Sequence, residues 1–425
     1  MTKVNLKAEW PTVRLGDFVD LVSGFPFKSD LFTNKPEDVP LVKGENLHQG
    51  YIDWKYAKRW KASEFAQYER FQLNQNDVVL AMDRPWIEAG LKFSWIKRHD
   101  PKALLVQRVA RMRGIKGLST CYLRYIIGSS QFTDYIKPIV TGVNVPHISG
   151  QQIKEFEFLL PPLHIQCRIA TILSAYDDLI ENNTRRIQIL EEMVRRIYEE
   201  WFEHLRFPGH ENVRMVESTF GLIPAGWNTA TLKDICSFIS RGISPKYNDV
   251  SEQFVINQKC IRDEKLNLRF VRRHSCNVPS DKVVRFGDVL INSTGVGTLG
   301  RVAQVYTDVR NYTVDTHVTI VRPRSEIDRD YLGLSLLKLQ THFDRLGFGA
   351  TGQTELSRAS VANTEIRLPP ANVQDSFSKT VSPMRKNAIL LTQKNENLRC
   401  TRDLLLPKMI SGEIDVSNFP EPVTD

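Results

Sequence analysis

Apolar residues along two stretches of this chain recur at alternating intervals of four and three. The first run is Ile169, Leu173, Tyr176, Ile180, Asn183, Ile187, Leu190, Val194, Ile197 and Trp201, with Asn183 its one clearly polar member. A shift of 208 positions gives the second: Phe377, Val381, Met384, Ala388, Leu391, Asn395, Leu398, Arg402, Leu405 and Met409. The 3.5-residue period predicts two heptad helices of about 40 residues, each near 60 Å long at a ~1.5 Å rise. Pro161-Pro162 and Pro369-Pro370 mark their starts, because proline suits a first helical turn and not an interior. Pro208-Gly209 and Ser411-Gly412 mark their ends.

The polar seam positions predict how the helices meet. Asn183 is fifth of ten and Asn395 sixth of ten. An antiparallel pair sets fifth against sixth, so the two amides can bond to each other. A parallel pair in the same register sets each amide against an aliphatic residue, at a cost of ~1–3 kcal/mol. The expectation is an antiparallel coiled coil in which Asn183 meets Asn395 and Arg402 faces Tyr176.

Elsewhere the texture is mixed. Asp77–Leu80, Leu104–Val109, Asp288–Asn292, Val302–Tyr306 and Val318–Val321 read as strands, and Cys121–Phe132 and Tyr331–Phe343 as amphipathic helices. These segments repeat as well. Trp10–Phe18 (WPTVRLGDF) aligns with Trp227–Ile235 (WNTATLKDI), and Asn76–Leu80 (NDVVL) with Gly287–Ile291 (GDVLI). Thr141-Gly142 aligns with Thr351-Gly352, and the proline pairs are each followed by a glutamine, Gln166 and Gln374. Several matches in one order indicate a duplication whose length differences fall in loops. The predicted fold class is α+β: two globular domains alternating with two long helices, with an internal pseudo-twofold repeat. The expected bounds are 1–160 and 207–370 for the domains, 161–206 and 371–412 for the helices, and 413–425 for a tail.

Charge sharpens this division. The chain has 425 residues and a formal net charge of +8, distributed as +6 over 1–160, −2 over 161–206, +4 over 207–370 and 0 over 371–425. Basic domains on neutral or acidic helices point to a polyanion, and nucleic acid is the usual one. Basic residues there interleave with aromatics and amides, a mixture that neutralises phosphates and reads base edges. The candidates for DNA contact are Lys43, Arg59, Arg84 and Trp86, with Asn144 and His147 on the Thr141 loop. In the second domain they are Arg241, Lys246, Asn292, Ser293, Thr294 and Arg301, with Gln353 and Thr354 on the matching loop.

Other chemistry finds little support. The six cysteines form no C-x-x-C and the histidines no metal-ligand spacing, so no metal site and reduced thiols are expected. Gly295, Gly297 and Gly300 have the G-x-G-x-x-G spacing, but the β-like residues after them predict a hairpin and not a dinucleotide site. Neither a phosphate-cradling NTPase loop nor an amino-methyltransferase signature is present. No apolar run reaches the ~18 residues of a membrane span, and the N-terminus does not read as a signal peptide, so the expected location is cytoplasmic.

The chain resembles the specificity subunits of type I restriction–modification systems over nearly its whole length. The stretches that carry this are Leu159–Ala170 (LLPPLHIQCRIA), Tyr198–Phe202 (YEEWF), Arg206–Gly209 (RFPG), Gly221–Trp227 (GLIPAGW) and Leu398–Ile414 (LRCTRDLLLPKMISGEI). Ile165 and Val373 stand where the family often has glutamate. The resemblance implies two target-recognition domains, each reading one half of a bipartite double-stranded DNA site, with the helices setting the spacer. It implies two modification subunits that bind S-adenosylmethionine and methylate a flipped-out adenine. Where a restriction subunit joins, it would cleave unmodified DNA with ATP and Mg²⁺. This chain would itself be non-catalytic and bind no cofactor. A recognition subunit of another or orphan adenine-methyltransferase system shares the architecture. A self-contained DNA enzyme or a protein-only coiled-coil scaffold are readings from other classes.

Overall fold

A computed structural model of the chain describes residues 10–87, 90–140, 146–307, 309–347, 355–417 and 419. It divides into two compact units, Met1–Glu181 with Glu396–Asp425, and Asn182–Asn395. The division crosses both long helices, so each unit holds one recognition-sized domain and a length of both.

In the first unit a four-stranded antiparallel sheet is built from β1 (Val19–Ser23), β2 (Val78–Ala81), β3 (Phe93–Trp95) and β4 (Val109–Gly114), in the order β3-β2-β4-β1. Alternation along a strand sends side chains to opposite faces. Val78 and Leu80 join one core with α1 (Thr120–Ile127); Val79 and Ala81 join another with Val42 and Leu105 of a second, mixed four-stranded sheet. Burial on both faces explains why this strand reads as an unbroken apolar run. The second unit repeats the design with β5 (Cys236–Arg241), β6 (Val289–Asn292), β7 (Val302–Gln304) and β8 (Val318–Pro323), in the order β5-β8-β6-β7. Its counterpart of α1 is α3 (Arg329–Lys338).

The residues that first suggested duplication have structural jobs. Asn76 and Gly287 both take positive φ, 70° and 93°, in the turn before the central strand. That region admits glycine freely and asparagine better than most residues. The following Asp77 and Asp288 are buried and accept from Arg113 (2.7 Å) and Arg322 (2.7 Å). Gln166 is buried; its Oε1 accepts from the Ser119 amide at 2.9 Å and its Nε2 donates to the Pro161 carbonyl at 2.8 Å. Gln374 does the same with the Asp328 amide (2.9 Å) and the Pro369 carbonyl (2.8 Å). Ser119 and Asp328 cap α1 and α3, so each glutamine ties the start of a long helix to the start of a domain helix.

The long helices are α2 (Leu163–Tyr198), extended by a wide π turn over Glu199–Glu203, and α4 (Ala371–Ile410). Every residue of both seams is buried or half-buried. Within the second unit Asn183 donates to Asn395 Oδ1 at 2.9 Å, and the Tyr198 ring lies 6.2 Å from that of Phe377. Rising numbers on α2 therefore meet falling numbers on α4. Within the first unit Ile169 and Leu173 share a core with Leu406 and Met409, in the same antiparallel sense.

Four expectations need correction. Arg402 donates to Asp177 (2.7 Å) and Asp403 (2.8 Å), and Tyr176 is not its partner, because a guanidinium in a half-buried interface needs an anion. Leu104–Val109 is not one strand: Arg108 takes a φ of 64°, and the chain passes from Ala103–Leu105 of the mixed sheet to β4. The Cys121–Phe132 and Tyr331–Phe343 stretches each break, at Gly128-Ser129 and at Leu339. Proline also enters a helix interior: α4 runs through Pro383 and Pro407. Both prolines are exposed, so packing of their seam neighbours offsets the roughly 3 kcal/mol of a lost bond.

Candidate nucleic-acid interface

Three loops meet at one end of β2. The Ile148 amide donates to the Met82 carbonyl (2.8 Å), the Met82 amide to the Arg108 carbonyl (2.8 Å), and the Arg84 amide to the Pro146 carbonyl (2.7 Å). At the end of β6 the Leu356 amide donates to the Ser293 carbonyl (2.8 Å) and the Ser293 amide to the His317 carbonyl (2.8 Å). Asp83 bridges His147 in the first frame and Thr294 bridges Glu355 in the second. The backbone frame is thus the same in both domains, and it pairs Met82 with Ser293, Asp83 with Thr294, Arg108 with His317, and His147 with Glu355.

The side chains on that frame differ. Asp83 Oδ1 lies 2.6 Å from His147 Nδ1, and its Oδ2 accepts from Arg108 at 2.5 Å. Partial burial alone would raise the Asp83 carboxyl, but the bonds from Arg108 and His147 outweigh it and hold it below the ordinary carboxylate range. Arg84 follows, exposed and at a φ of 44°. A positive φ on a non-glycine residue is strained and marks a position held by its surroundings. Nearby Lys92 is pushed down by burial and then by the positive charge of Arg84. In the second domain the Thr294 hydroxyl lies 2.7 Å from His317 Nδ1, and Glu355 pairs with Arg241 at 2.6 Å. Val296, at the tip of the β6–β7 hairpin, is 77% exposed.

Of the residues singled out from sequence, Arg84, His147, Thr294 and the backbone of Ser293 lie on this frame. Trp86 lies just beyond, half-buried beneath the Lys137 ammonium at 4.5 Å. Lys43 is half-buried and pairs with Glu45 at 2.8 Å, and Lys246 is exposed. Asn292 and Ser293 must be reassigned as builders of the loop. Both are fully buried; Asn292 donates to the Gln258 and Thr298 carbonyls (3.1 Å each) and Ser293 lies 2.6 Å from the Thr319 hydroxyl. Arg59 likewise serves structure, donating to the Asp38 and Pro36 carbonyls (2.6 and 3.1 Å). Arg241 is held by Glu355 and the Leu356 carbonyl (2.7 Å), and Arg301 by the Gly297 carbonyl (2.8 Å). Asn144, Gln353 and Thr354 lie outside the described residues. Asp83, Arg108, His317, Glu355 and Val296 also lie on or beside the frame. Only Asp83 had a visible signal, beside Arg84 in the repeat.

The glycine-spaced segment is a hairpin loop, since β6 and β7 pair across it with Gly295, Gly297 and Gly300 all at positive φ. Among the described residues no group of three or more His, Cys, Asp or Glu could hold a metal, and no helix is long and apolar enough to cross a membrane.

Two copies of one frame with different side chains define a duplicated recognition protein. The chain belongs to the family described as type I restriction modification DNA specificity domain, which matches it twice, over residues 7–192 and 224–399. It is 25% identical over 314 residues to the type I restriction enzyme MjaIX specificity subunit of Methanocaldococcus jannaschii, spanning 71% of each chain. To the MjaVIII specificity subunit of the same organism it is 22% identical over 441 residues, spanning 99% of this chain and 96% of that one. The solved structure of a type I restriction–modification S subunit from M. genitalium has the same fold, with a TM-score of 0.58 at 15% identity over 96% of this chain and 98% of the other.

Proposed function

We propose that this chain is the DNA-specificity subunit of a type I restriction–modification enzyme. Each globular domain reads one half of a bipartite site, and the long helices set the spacer and dock two modification subunits. The observation that carries this is the shared frame: two matching backbone bonds and a matching bridge present Asp83, Arg108 and His147 in one domain and Thr294, His317 and Glu355 in the other. Equal frames with unequal side chains suit equal docking on DNA with unequal base contacts. Methyl transfer from S-adenosylmethionine and ATP-dependent cleavage belong to the partner subunits. The basic domains provide the salt-sensitive, phosphate-directed part of binding.

The test is expression with the modification subunit, followed by genome-wide mapping of methylated adenine. One motif with two short specific halves and a fixed spacer is expected. A single continuous motif, or methylation independent of this chain, would overturn the reading.

A further inference from the structure

The junction between domain and long helix is built around a buried ion pair in each unit, and the two pairs have opposite sense. In the first unit Asp177 of α2 is buried. It accepts from the Tyr125 hydroxyl at 2.7 Å and from Arg402 at 2.7 Å, with Arg124 of α1 at 3.6 Å. The Arg124 guanidinium lies over the Trp95 ring of β3 at 4.5 Å. In the second unit the cation is on the long helix. Arg385 of α4 donates to Asp330 of α3 and to Gln304 of β7, both at 3.0 Å, and lies over the Tyr306 ring at 4.5 Å. The Ser382 hydroxyl donates to the same aspartate at 2.6 Å.

Asp177 and Arg385 are one position of the repeat, 208 residues apart like Gln166 and Gln374. The domain sides have diverged to match. Five residues past the cap, α1 has Arg124 and α3 has Gly333. A Cβ on Gly333 would lie 1.6 Å from Gln304 Oε1, so a larger residue there requires the Gln304 side chain to move. The facing long helices also support the local sign. Arg402 stands by Asp177, and Glu191 of α2, itself ion-paired with Lys265 at 2.8 Å, adds a longer-range attraction for Arg385.

We propose that these reversed charges are a seating key, so that each long helix accepts only a recognition domain of matching sign. Asp177 takes a domain whose α1 presents an arginine; Arg385 takes one whose α3, in the corresponding place, presents an aspartate. A domain moved to the other position would set Arg124 against Arg385, or Asp330 against Asp177. Breaking a buried pair leaves an uncompensated charge, and like charges juxtaposed at an interface select strongly against the wrong partner.

The experiment is a full-length chain carrying the first domain twice, with residues 10–160 in place of 227–368. It is made once with Glu191 and Arg385 kept and once with Glu191→Arg and Arg385→Asp. Both forms are followed by thermal unfolding and by hydrogen exchange of the second unit. The form that keeps Arg385 is expected to melt lower by on the order of 10 °C, with the double substitution restoring it. The natural chain carrying the same two substitutions should lose stability instead. If the two duplicated chains melt together, whether both folded or both unfolded, the key is overturned. Unfolding is read without DNA, so a failed methylation motif alongside the expected melting difference would sink the functional reading and leave the key standing.

Discussion

Asp83 and Thr294 hold the same place on two copies of one frame and present different chemistry. The first is a carboxylate engaged by Arg108 and His147; the second is a hydroxyl beside His317. Arg84 projects from the first frame with no comparable cation at the second, where Gly295 follows Thr294. Arg84→Ala should therefore weaken discrimination at one half-site only. A base contact of this kind is worth about 1–3 kcal/mol, or roughly ten- to a hundredfold. Methylation rates on sites mutated in either half would measure it, and equal loss at both halves would sink the assignment. The neighbouring Asn292 and Ser293 carry the opposite lesson. Amide and hydroxyl look like base readers in a sequence, yet here the Asn292 amide nitrogen and the Ser293 hydroxyl bond inward and close the loop from inside.

At the scale of elements, the helix pair rests on a polar layer inside an apolar seam. Asn395 is 2% exposed, bonded to Asn183 at 2.9 Å and to the Thr184 hydroxyl at 3.2 Å. Replacing Asn183 alone by leucine should cost about 1–3 kcal/mol, because the Asn395 amide is left buried without that partner. Replacing both by leucine should recover most of that loss while loosening register. Denaturant unfolding of the two single variants and the double variant gives the coupling. If the double variant is no better than the sum of the singles, the amides act separately. The seam was legible in the sequence because a 3.5-residue period is a property of the chain alone. The breaks at Gly128-Ser129 and Leu339 were not, since the apolar spacing carries on past them to Phe132 and Phe343, both fully buried.

At the scale of the molecule, the duplication separates reading from spacing. Inserting one heptad into α2 and one into α4, each at the boundary between the units, should leave both half-site sequences unchanged. The spacer should lengthen by about three base pairs, from seven residues at a ~1.5 Å rise against ~3.4 Å per base pair. Methylome mapping of the lengthened chain tests this, and an unchanged spacer would refute the helices as a ruler.

By itself the sequence determined the two heptad helices, their antiparallel sense through Asn183 and Asn395, the duplication, and the family. Each is written in periodicity, order or local motif, and needs no knowledge of what packs against what. Tertiary structure alone decided the rest. It chose Asp177 over Tyr176 for Arg402, because the preference of a half-buried guanidinium depends on which anion lies within reach. It gathered Asp83, Arg108 and His147 from three distant loops, and His317 and Glu355 likewise. It also turned a shared repeat position into Asp177 in one unit and Arg385 in the other, each meaningful only beside its partner. Contacts between residues far apart in sequence leave no period behind, so only the fold could reveal them.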